Sequence, residues 1–124
     1  MGRAVLSINS NSSMNLVLKN IFNRGYTFYP APDVYTGFTL LKKIKEIELI
    51  VIDLDENCTD CLDFIYFINS SKMYKRKLVV LACKEQLAKL HFLKQSEVVQ
   101  ILIKPFSPSL LLSNNYQYLK SEIT

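Results

Sequence analysis

The sequence predicts an α/β protein built on one parallel sheet with helices on both faces. Two observations carry this prediction. Strand-like and helix-like patterns alternate along the whole chain. The two strongest strand patterns, Leu49–Ile52 and Leu78–Leu81, are apolar at every position, as expected of central strands covered on both faces. The length agrees. A chain of 124 residues without repeats, low-complexity tracts or linkers suits one domain, 1–124.

Each element has its own signature. Ala4–Ile8 is a short apolar strand that runs into Asn-Ser-Asn-Ser-Ser, which is turn and helix-cap chemistry. Met14, Val17, Leu18, Ile21 and Phe22 follow at helical spacing, and Gly25 is a natural C-terminal cap for that helix. Tyr26–Tyr29 reads as a weak strand stopped by Pro30 and Pro32. Val34, Phe38, Leu41 and Ile44 give a second amphipathic helix, capped by Asp33. Leu49–Ile52 is the third strand and ends abruptly in Asp53-Leu54-Asp55-Glu56-Asn57. Thr59–Asn69 reads as a third helix, Leu78–Leu81 as a strand, and Glu85–Leu93 as a helix of weaker apolar pattern. Val98–Ile103 is the fifth strand, closed by Lys104-Pro105. Ser107-Pro108 opens a last helix carrying Leu111, Leu112, Tyr116 and Leu119. The alternation makes right-handed βαβ units, hence a (βα)5 doubly wound sheet.

Composition narrows the function classes. At 49% hydrophobic and 21% charged residues, the chain is not a disordered one. Three Cys and no apolar N-terminal stretch point away from secretion and toward a cytoplasmic location. No apolar run is long enough to span a bilayer, so membrane insertion is not expected. The net charge of +4 permits an acidic partner without requiring one. Lys72, Lys75, Arg76 and Lys77 cluster, but such a cluster reads first as a solvated loop, and nucleic acid is not the expected partner of this domain alone.

In doubly wound folds, chemistry sits beyond the carboxyl ends of the strands. The residues there are Asn9 and Ser10, Asp53 and Asp55, Ala82 and Cys83, and Lys104. Asp53 can serve as a phosphate acceptor or a metal ligand. Lys104 can pair with a phosphoryl group or with Asp53 itself.

These residues give the chain its resemblance to a known family. It resembles the receiver domain of two-component response regulators, over nearly its whole length. Leu49-Ile-Val-Ile-Asp53 looks like the strand that presents the phosphoacceptor aspartate, Asp60-Cys61-Leu62 resembles the family's Asp-Gly-Leu, and Lys104-Pro105-Phe106 matches its Lys-Pro-Phe. The resemblance implies a flavodoxin-like fold with strand order 2-1-3-4-5. It implies signalling partners, among them a histidine kinase or an output domain, and it is compatible with a homodimer. It does not imply an enzyme.

The departures are as specific as the matches. The family's pair of Mg²⁺-binding acids looks replaced by Asn9 and Ser10. Neutral amide and hydroxyl groups are weaker ligands for a hard cation. Asp53, with Asp55 as the nearest second carboxylate, should therefore hold Mg²⁺ weakly if at all, since the position of Asp55 normally offers a backbone carbonyl in the family. The switch hydroxyl looks replaced by Ala82 and the switch aromatic by Ile101. The expectation is a degenerate, or pseudo-, receiver that acts by protein–protein contact, needs no cofactor, and has a direct Lys104–Asp53 ion pair. By the family's pattern, its docking face would include Lys89, Phe92, Ile101, Phe106 and Tyr116. The alternative is a working receiver that takes phosphate on Asp53 from a histidine kinase.

Two remoter readings use the same residues. Asp53-Leu54-Asp55 resembles the Asp-x-Asp of haloacid-dehalogenase-type phosphatases, but two strands precede it and the later acidic motif is missing. Cys58-Thr59-Asp60-Cys61 resembles a thioredoxin-type thiol pair, but no proline precedes a facing strand. A zinc site would need Cys83 and His91 as well, and no spacing brings His91 near.

Overall fold

The computed structural model describes residues 3–23, 25–54, 59–92 and 99–104. The elements run β1 (Arg3–Ile8), α1 (Ser12–Ile21), β2 (Tyr26–Ala31), α2 (Val34–Lys43), β3 (Ile47–Asp53), α3 (Thr59–Ser70), β4 (Lys77–Ala82), a 3₁₀ helix (Lys84–Leu90) and β5 (Val99–Ile103). All strand pairs are parallel, and the sheet order is β2-β1-β3-β4-β5. Fold class and strand order are those the sequence implied. The expected last helix, with Phe106 and Tyr116, lies outside the described residues.

The apolar runs are continuous because each strand feeds two cores. On one face Leu6, Ile8, Ile50, Ile52, Leu78 and Val80 join α2 and α3 residues such as Leu41, Phe64, Ile65 and Ile68. On the other, Val5, Leu49, Val51, Val79 and Leu81 pack with Leu18 and Phe22 of α1. Side chains alternate between the faces of a strand, so only an all-apolar run can serve both.

Three local expectations are corrected. Pro30 does not stop β2, which continues to Ala31 and pairs Pro30 with Ser7. β2 is an edge strand, where a residue without an N–H loses nothing on its open side. Gly25 does adopt a positive φ of 81°, but the cap residue of α1 is Phe22, so the glycine shapes the turn into β2. The predicted helix at 85–93 is a 3₁₀ helix over Lys84–Leu90, held at its start by the Gln86 side chain accepting from the Cys83 N–H. The weak apolar pattern there fits the tighter winding of a 3₁₀ segment.

Candidate functional site

The carboxyl edge of the sheet gathers the site. β1 ends at Ile8 and hands over to Asn9, whose backbone N–H donates to Ala31 O at 2.9 Å. Asn9 Oδ1 accepts from the Asn11 N–H at 2.8 Å, and Asn11 in turn caps α1 by accepting from the Met14 N–H at 3.1 Å. These asparagines make their own turn, as short amide side chains do. Asn15 of α1 ties the turn to the strand. Its Nδ2 donates to Asn9 O at 3.0 Å, and its Oδ1 accepts from the Ser7 hydroxyl at 2.7 Å. That bond accounts for a fully buried serine within β1. Asn9 is only 5% exposed, and its Nδ2 has no hydrogen-bond partner.

Asp53 and Lys104 meet. Lys104 Nζ lies 2.5 Å from Asp53 Oδ1 and donates to Leu54 O at 3.1 Å. Both side chains are largely covered, at 22% and 12% exposure. β4 stands between the two strands, so the pair spans two interstrand spacings, about 9.6 Å. A side chain as long as lysine is needed to cross that gap. The backbone holds both ends in place. Leu54 N donates to Leu81 O at 2.9 Å and Lys104 N to Ala82 O at 2.8 Å.

A pocket of about 160 Å³ opens at this edge, and Asn9, Ser10, Asp53, Asp33, Asp60 and Cys61 are among the residues around it. The structure therefore brings Asn9, Ser10 and Asp53 together, with Lys104 on the Asp53 carboxylate. Ala82 is buried at the end of β4, and Ile101 is half-buried against the core, so neither lines the pocket. Asp55 and Cys58 lie outside the described residues. His91 is exposed, as its lone position suggested.

Sequence reasoning missed Asp33, Tyr35 and Asp60 as pocket residues. Asp33 was visible only as a cap, and it does accept from the Thr36 N–H at 2.7 Å. That bond is the main reason its carboxyl is held below the ordinary value of 3.8. The Tyr35 hydroxyl donates to Asp60 Oδ2 at 3.2 Å, which pushes the phenol above its ordinary value of 10.0. No sequence signal joins residues 25 positions apart on different helices.

The resemblance implies Mg²⁺, and the residues present do not fit it well. Asp53 already faces an ammonium. The Asn9 oxygen already accepts from the Asn11 N–H, and Asn9 brings a neutral amide in place of a carboxylate, a weaker ligand for a hard cation. Among the described residues, no group of three His, Cys, Asp or Glu side chains is placed to hold a metal ion.

No family model matches the sequence, and no curated protein matches it. Solved structures do resemble it. The chemotaxis response regulator CheY4 of Vibrio cholerae superposes with a TM-score of 0.77 at 18% identity, covering 95% of this chain and 99% of that one. A response regulator of Thermotoga maritima gives 0.76 at 21% identity, covering 97% and 99%. The receiver domain of a histidine kinase from Syntrophus aciditrophicus gives 0.82 at 14% identity, covering 97% and 92%. In sheet order, helix placement and extent, this chain has the fold of the response regulator receiver domains.

Proposed function

We propose that this chain is a receiver-like signalling module that acts through protein–protein contact, with a site departing from Mg²⁺-assisted phosphoryl acceptance. One observation carries the reading. The residue beside Asp53 at this pocket is Asn9, a neutral amide whose oxygen is engaged by the Asn11 N–H, where a cation-assisted site needs an acidic oxygen. Phosphoryl transfer to a carboxylate brings negative charges together, and a bound cation offsets that repulsion. Here the cation nearest Asp53 is Lys104, at 2.5 Å. The pair stabilises one arrangement of the edge without a ligand. On this reading the module has no enzymatic activity of its own, needs no cofactor, works in the cytoplasm and takes its partners from a signalling pathway. No helix among the described residues is long and apolar enough to cross a membrane.

The test is an NMR titration with Mg²⁺, then with Mg²⁺ plus beryllofluoride, a mimic of an aspartyl phosphate. The expected result is no response around Asp53 and Lys104 at millimolar Mg²⁺. Shifts centred there that spread along β5 would overturn the proposal and leave a phosphate-accepting receiver.

A further inference from the structure

A second, larger concavity lies between α2 and α3, with a volume of about 630 Å³. Phe38 and Phe64 line it, and Tyr35 and Phe67 stand at its sides with 68% and 42% of their surfaces exposed. One end carries Asp60 and Asp63, both exposed. Among the described residues neither is in an ion pair. The chain as a whole has cations in excess, with a net charge of +4. A cation lies near Phe38 without lining the groove. Lys42 Nζ sits over the Phe38 ring, 5.0 Å from its centroid. Lys42 belongs to the last turn of α2, whereas Asp60 belongs to the first turn of α3.

We infer that this groove docks a helical segment of a partner protein that carries apolar side chains beside lysine or arginine. The shape is that of a helix-in-groove site, with aromatic walls to take anchors at i, i+3/i+4 and i+7. The flanking helices of 10 and 12 residues are long enough to seat two to three turns of a partner, about 15 Å. The charge fixes the chemistry of the occupant. Two uncompensated carboxylates beside aromatic faces attract a basic side chain and repel an acidic one. Asp60 and Tyr35 also line the Asp53 pocket, so the occupant would touch a wall shared with it. The inference does not depend on whether Asp53 accepts phosphate.

The test uses the full chain, ¹⁵N-labelled, and two designed helical peptides of about 14 residues with the same leucine stripe. One carries lysines and the other glutamates. The basic peptide is expected to shift Tyr35, Phe38, Asp63 and Phe67, and the acidic one is not. A doubly substituted chain, Asp60→Asn with Asp63→Asn, should bind the basic peptide about fivefold more weakly. Both positions are exposed, so the fold is retained. Equal binding of the two peptides, unchanged affinity in the double variant, or shifts centred elsewhere would overturn the inference. Groove resonances that broaden with protein concentration alone would also overturn it, because the occupant would then be a second copy of this chain.

Discussion

The two ends of the sheet each hold a lysine- or arginine-to-carboxylate pair, and the two pairs are not equivalent. At the carboxyl end, Lys104 and Asp53 are 22% and 12% exposed and lie 51 residues apart in sequence. At the amino end, Arg3 of β1 meets Glu48 of β3 at 2.7 Å, with 23% and 34% exposed. The surroundings differ more than the distances. The amino end is dense in cations. The loop after α2 carries Lys45, the loop after α3 carries Lys72, Lys75 and Arg76, and Arg76 Nε donates to Ile47 O at 2.8 Å, clipping that second loop to the start of β3. Arg76 also donates to the carbonyls of Met73 and Lys75. The carboxyl end instead gathers Asp33, Asp53 and Asp60 around one pocket, with Lys104 paired to Asp53. The difference teaches that a shared bond type does not mean a shared role. One pair is partly covered, its carboxylate more open than Asp53, and stands among other cations. The other joins β3 to β5 beside a pocket.

Removing one partner from each pair gives the largest separation between the ends. Lys104→Met leaves the Asp53 carboxylate largely covered without its ammonium, and it also removes the bond to Leu54 O. A loss of about 3 kcal/mol is expected, the low end for a broken buried pair because both side chains keep some solvent. Urea unfolding followed by circular dichroism measures it. A loss as small as that of a surface pair would remove the distinction drawn between the two ends.

An intermediate effect is expected from the wall of the pocket. A Cβ added at Gly37 of α2 would come within 2.7 Å of Ile8 Cδ1 and 2.9 Å of Ile8 Cγ1. The glycine therefore lets α2 lie close to the end of β1, next to Asn9. Gly37→Val should cost about 2 kcal/mol through overpacking. It should also move the Asn9 and Asp53 amide resonances while leaving Arg3 and Glu48 undisturbed. Equal shifts at both ends would mean that the sheet transmits the strain along its whole length.

The smallest effect belongs to the amino end. Arg3→Met should cost about 1 kcal/mol, less than Lys104→Met because Glu48 is 34% exposed against 12% for Asp53, and part of that cost should be screened away in high salt. Paired unfolding curves at low and high ionic strength would check this. A large, salt-insensitive loss would give the Arg3–Glu48 pair a structural weight equal to that of Lys104–Asp53.

Much of the carboxyl end was legible before any coordinates. Asp53 follows four apolar residues, and Asn9, Ser10 and Lys104 also follow strand patterns, so a doubly wound sheet had to bring them to one edge. Other features were illegible for identifiable reasons. Pro30 reads as a strand breaker unless its strand is known to be an edge. Ser7 reads as an interruption of an apolar strand unless Asn15 is known to lie against it. The cluster at Lys72–Lys77 reads as a solvated loop, and Lys72 and Lys75 are indeed exposed, yet Arg76 clips the loop to the start of β3.

The sequence by itself determined the element order, the double-sided core and the strand-end residues. These follow from the periodicity of neighbouring residues, which a chain carries locally. The Lys104–Asp53 pair was an expectation of the sequence, and only the tertiary structure decided that Lys104 also donates to Leu54 O, that the buried Asn9 nitrogen goes unpartnered, and that Tyr35 and Asp60 bridge two helices beside an aromatic groove. Each depends on strand register or helix placement among residues distant in sequence, which no local pattern encodes, whereas the Asn9-to-Asn11 bond is local turn chemistry.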